Sequence, residues 1–155
     1  VTTEGGLDIV SQEARLKSAV ARLADVGIMV SVFIDAEIAQ VEAAARIGAK
    51  VCEIHTGPYA HAFHAAGRDA ESPAVIVEIE KVARAGEAIR GLGLRFNAGH
   101  ALNYYNVQPI ARLPGIRELH IGHSIVSRSV FTGLREAVKE MKRLMREAAD
   151  RGLKA

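Results

Sequence analysis

The apolar residues of this chain change their spacing several times along its length. Leu16, Ala19, Val20 and Leu23 recur at i, i+3, i+4 and i+7, which places one helical face against a core, and Gly27 ends the run. Ile28–Asp35 (I-M-V-S-V-F-I-D) is then apolar on both faces, as befits a strand buried in a parallel sheet. Asp35 stands where it would cap a short helix marked by Ile38, Val41 and Ala45 and stopped at Gly48. A second strand is expected over Lys50–Thr56, followed by a polar, Ala/His-rich loop from His61 to Ala70 of the kind that covers a site. Ser72-Pro73 combines an N-cap residue with proline at the first helical position and opens a helix through Val75, Ile79, Val82 and Ile89, ended by Gly91 and Gly93. Leu94–Ala98 predicts a third strand, Val107–Arg112 a helical turn and Glu118–Ile121 a fourth strand. The last helix begins near Thr132 and runs through Leu134, Val138, Met141, Leu144 and Met145, with Lys142, Arg143 and Arg146 towards the end where the macrodipole favours cations.

One helix followed by four strand–helix units, with no hairpin signal, linker or low-complexity segment, predicts a single α/β domain over residues 1–155 built on a parallel sheet. Two architectures remain open: a small open sheet, or about half of a (β/α)8 barrel. A barrel needs about 250 residues, so that reading expects roughly 90 to 100 residues, carrying the first strands, ahead of Val1. The 155 residues are 49% hydrophobic and 25% charged, the balance of a globular chain able to bury a core. A net charge of +2, with Lys and Arg spread along helices and not interleaved with aromatics, argues against nucleic acid and favours small anions. The single cysteine, Cys52, excludes an intrachain disulfide, and there is neither a spanning apolar run nor a signal-peptide pattern. A cytoplasmic protein with no membrane partner is expected.

Three apolar runs break off into Gly/His clusters: Val51–Gly57 (V-C-E-I-H-T-G), Leu94–His100 (L-R-F-N-A-G-H) and Leu119–His123 (L-H-I-G-H). In a parallel α/β protein the carboxyl ends of the strands share one rim, where such folds keep their chemistry. Alternation puts Glu53 and His55 on one strand face and Cys52 and Ile54 on the other. An inward carboxylate is costly unless it is paired or used, so Glu53 is a candidate catalytic group, a structural ion pair being the plain alternative, and His55 reads as its support. His100, just past Asn97-Ala98-Gly99, is placed for proton transfer near neutral pH; the plain alternative is a ring satisfied by loop carbonyls. Gly122-His123 and Gly99-His100-Ala101 lie where barrels bind phosphate through backbone N–H groups, although ordinary tight turns would look the same. His120 alternates away from Leu119 and receives no role. Glu53-x-His55 and His61-x-x-His64 lack a partner set at known ligand spacings, so no metal is expected, and His61 and His64 read as loop or helix-surface residues. No P-loop or dinucleotide fingerprint is present, and no lysine ends a strand, which counts against imine chemistry.

Taken together, Val1–Asp8 (V-T-T-E-G-G-L-D), Phe33–Ala36, Glu53–Gly57, Asn97–His100, Ile121–His123 and Thr132–Leu134 resemble, in order and spacing, the pyridoxine 5′-phosphate synthase family over nearly the whole chain. The chain looks like the carboxyl-terminal two-thirds of such an enzyme. The resemblance implies a (β/α)8 barrel, in cells a homo-octamer, that condenses 3-amino-2-oxopropyl phosphate with 1-deoxy-D-xylulose 5-phosphate, without metal or organic cofactor, in vitamin B6 biosynthesis. It makes His100 the proton donor and Glu53 the carboxylate that stabilises the transition state. Thr2 would contact the deoxyxylulose phosphate, and Ala101, Gly122 and His123 the aminooxopropyl phosphate. Ala101 stands where the family commonly has glycine, and the family's other bases and phosphate-gripping arginines belong to strands this chain does not contain. The isolated chain is therefore expected to lack turnover. Another phosphate-binding barrel (an isomerase or aldolase) and a non-catalytic phosphate-metabolite module are the alternative functions.

Overall fold

The computed structural model describes residues 5–152. Four strands, β1 (Ser31–Ile34), β2 (Val51–His55), β3 (Arg95–Gly99) and β4 (Ile116–His120), form one parallel sheet in the order β1-β2-β3-β4. Each strand is added beside the one before it and the order never reverses, unlike a doubly wound sheet, which turns back at a switch point. The architecture is thus that of a partial (β/α)8 barrel, which resolves the choice left open by the hydrophobic pattern.

Among the described residues the α-helices are α1 (Glu13–Asp25), α2 (Ile38–Arg46), α3 (Gly57–Ala65), α4 (Pro73–Gly91), α5 (Val107–Ala111), α6 (His123–Thr132) and α7 (Leu134–Gly152). Alternation along the strands turns Val32, Ile34, Cys52, Ile54, Phe96 and Ala98 to one side, where they join Val41 and Ala44 of α2 and Val75, Val82, Ala85 and Ile89 of α4 in the core. Ile54 is fully buried there, so its truncation to alanine would cost about 2–5 kcal/mol. The α4–β3 contact is close enough to require a glycine, since a Cβ on Gly86 would overlap the Phe96 ring. The opposite face of the sheet carries the row Phe33, Glu53, Asn97 and Glu118, brought level by the strand register. That face is polar, and it leads up to the carboxyl rim.

Four local expectations are corrected. The segment from His61 is not a loop over a site but the second half of α3, which Pro58 opens and which Tyr59 and Phe63, one turn apart, bury against the core. His61 and His64 are exposed on its outer surface. Residues 123–132, read as part of no element, form α6, and Gly133 at φ +79° separates it from α7. The fourth strand begins two residues earlier than expected, at Ile116, and a register shift beside Phe96/Asn97 adjusts its pairing with β3. Asp35 caps nothing: α2 has Glu37 at its N-cap, and the Asp35 carboxylate has been drawn into tertiary contacts.

Candidate active site

The carboxyl rim gathers side chains from all four strands. At the end of β1, Asp35 Oδ1 accepts from the Gly6 amide at 3.0 Å and lies 2.9 Å from His55 Nδ1 at the end of β2. His55 is buried and its partner carboxylate half exposed, so the pair joins the interior to the rim. The His55 ring meets Phe33 edge-on at 5.1 Å between centroids and His100 likewise at 5.1 Å, while Phe33 and His100 lie 5.5 Å apart. His100 is therefore seated against two rings, one of which is held by a carboxylate.

The backbone under His100 is strained and heavily anchored. His100 and Ala101 have φ of +83° and +57°, left-handed values that L-residues avoid. The buried Thr56 hydroxyl lies 2.6 Å from the carbonyls of both Gly99 and His100, donating into the fork between them, and the Thr56 amide also bonds Gly99 O at 2.8 Å. On the far side, Asn106, almost fully buried, donates through Nδ2 to Ala101 O at 3.1 Å and accepts from the Asn103 amide at 2.7 Å. Strain that the surroundings hold in place is a feature of functional sites.

Beyond this turn, a cavity of about 630 Å³ opens between the ends of β3 and β4, lined by Glu53, His100, Ala101, His120, Gly122 and His123 among others. Five of the six residues singled out from sequence thus face one space; the sixth, Thr2, lies outside the described residues. Gly122 is the N-cap of α6, whose first N–H groups have no intrahelical acceptor, and Ser124 Oγ ties this helix start to Leu102 O at 2.9 Å. Backbone donors at a helix amino terminus, beside an imidazole, suit a phosphate dianion.

Sequence reasoning did not find three contributors: Asp35, Thr56 and His120. His120 Nδ1 lies 2.6 Å from Glu53 Oε2, and its Nε2 is 3.5 Å from Glu118 Oε2. Its pKa is raised: burial by itself pulls it down, but the hydrogen bond and charge of Glu53, with Glu118 adding to them, outweigh that. The only available signal was parity, since His120 sits level with Gly99 and His55 on the rim-facing side. Cys52 points into the core on the other face, where burial pushes its thiol up to about 11 and leaves it inert. Among the described residues no three His, Cys, Asp or Glu side chains converge as metal ligands would, and no helix is long and apolar enough to cross a membrane.

Comparison with known proteins matches residues 1–147 to the family described as "Pyridoxal phosphate biosynthesis protein PdxJ". The chain is 84% identical over 149 residues to the pyridoxine 5'-phosphate synthase of Azoarcus sp. (strain BH72), covering 96% of this chain and 60% of that protein. It is 82% identical over 152 residues to the same-named protein of Aromatoleum aromaticum (98% and 61% covered), and 53% identical over 148 residues to that of Magnetococcus marinus (96% and 58% covered). The chain therefore spans about 60% of the length of these relatives. With a family match over 147 residues and this level of identity, the chain belongs to the pyridoxal phosphate biosynthesis protein PdxJ family.

Proposed function

We propose that this chain supplies one side of the active site of a pyridoxine 5′-phosphate synthase, within a single barrel domain. In this reading, 3-amino-2-oxopropyl phosphate condenses with 1-deoxy-D-xylulose 5-phosphate to give pyridoxine 5′-phosphate, inorganic phosphate and water. The observation that carries it is the cavity shared by Glu53, His100, Ala101, Gly122 and His123 in a chain of this family. The start of α6 and the Ala101 turn hold the phosphate of the aminooxopropyl substrate through backbone N–H groups and His123, and Thr2 contacts that of the deoxyxylulose substrate. With both phosphates anchored, the reacting carbons are held together, which replaces much of the entropy cost of a bimolecular step. His100 donates protons to departing oxygen, and the Glu53 carboxylate stabilises the cationic character that develops as amine adds to carbonyl. Proton transfers of this kind proceed without a metal. The enzyme works in the cytoplasm as a homo-octamer, and the 155-residue chain alone does not turn over.

The test is His100→Ala in a protein of the relatives' full length that carries this sequence, with pyridoxine 5′-phosphate formation followed directly. A loss of roughly 10²–10⁴ in kcat is expected. A variant as fast as the parent would refute the role of His100, and product formed by residues 1–155 alone would refute the statement that this chain holds only one side of the site.

A further inference from the structure

We propose that His120 is a positioning residue for Glu53, aiming its carboxylate into the cavity by pairing with it. This rests on the reading of that cavity as the synthase site. Glu53 and His120 belong to β2 and β4, which are not neighbours; strands two apart are separated by roughly 9–10 Å. The pair can meet because Gly99 of β3 lies between them without a side chain. A Cβ at that position would overlap Glu53 Oε1 and stand 3.0 Å from His120 Cβ. Through this gap His120 Nδ1–H donates to Glu53 Oε2 at 2.6 Å, while the rest of the ring faces the cavity.

The charged and titratable groups around His120 are Glu53 from β2, Glu118 from its own strand, and His100 and His123 across the same cavity. Two carboxylates, Glu53 and Glu118, face the ring and outweigh its burial, so the imidazolium is favoured. A carboxylate clamped by an imidazolium keeps one orientation, as transition-state stabilisation demands. Loss of the imidazolium charge weakens that hold, leaving a neutral Nδ1–H donor in place of an ion pair.

Two measurements test this. On the chain itself, histidine side-chain NMR should show His120 titrating lower in Glu53→Gln than in the parent. In the full-length enzyme, His120→Asn should lower kcat by on the order of tenfold to a hundredfold with KM little changed. It should also move the alkaline limb of the kcat profile, and His120→Gln should behave in the same way. An unmoved His120 titration, or an unmoved alkaline limb with parental kcat in both variants, overturns the proposal. A parent enzyme that forms no product although the titration shift is present overturns the synthase reading instead and supports the pair.

Discussion

Replacing Thr56 with valine removes one hydroxyl and keeps the shape of the side chain. In the folded chain that hydroxyl holds the Gly99 and His100 carbonyls at 2.6 Å each, from a position with no solvent exposure. Gly99 O retains the Thr56 amide, but His100 O loses the only protein donor described for it. The hydroxyl has a single proton, shared between the two carbonyls, so one three-centre bond is lost and the stability loss is about 0.5–1.5 kcal/mol. The left-handed backbone of His100 and Ala101 stores about 1–2 kcal/mol per residue, so the lost anchor is comparable with the strain it restrains. The turn should then relax, carrying the His100 ring away from His55 and Phe33. Urea denaturation gives the first number, and hydrogen exchange at the amides of residues 100–103 reports the relaxation. Thr56→Ser, which keeps the donor, should recover most of the loss. If valine costs less than about 0.5 kcal/mol, or serine behaves like valine, the hydroxyl does not hold this turn.

Ala101→Gly should stabilise the chain by up to about 1 kcal/mol, since glycine accepts φ +57° without strain, although part of the gain is offset by greater freedom in the unfolded state; a thermal melt decides it. The raised pKa of His120 means that its ion pair contributes stability in full below the unfolded imidazole value of 6.5 and loses it as pH rises through the folded value. Urea midpoints compared between pH 6 and pH 9 should therefore fall more in the parent than in His120→Asn. Cys52, fully buried with its thiol pushed up to about 11, should react with a disulfide reagent at pH 8 only as fast as the chain opens, so labelling should accelerate with urea in step with unfolding.

The parallel sheet was legible because apolar runs such as Ile28–Asp35 and Val51–His55 alternate with helical spacing; the expectation of burial on both faces holds for β2 but not for β1, whose run begins at the exposed Ile28 and Met29, nor for β4. The strand-end clusters converge as their place on the rim suggests, in that Glu53, His100, Ala101, Gly122 and His123 line one cavity. α6 was invisible because H-S-I-V-S-R-S-V-F-T is rich in serine and β-branched residues, which have little intrinsic helical preference, and packing against α7 decides its state. The Ala/His-rich segment after Pro58 was read by its polarity, whereas Tyr59 and Phe63 on one face make it a helix. Asp35 has the local context of a helix cap, and only the arrival of Gly6 and His55, 29 and 20 residues away, diverts it. His120 was missed for a similar reason: its meaning lies in a residue two strands away, reached over a glycine.

That glycine ties three positions on three different strands into one unit of sequence change. A family member that acquired any side chain at the position of Gly99 would have to shorten its counterpart of Glu53 or His120 in the same lineage, so the three sites should covary even though they are far apart in the chain. Drift at this spot is collective, and a designer seeking to move the carboxylate would find the middle strand, not the acid itself, the effective place to intervene.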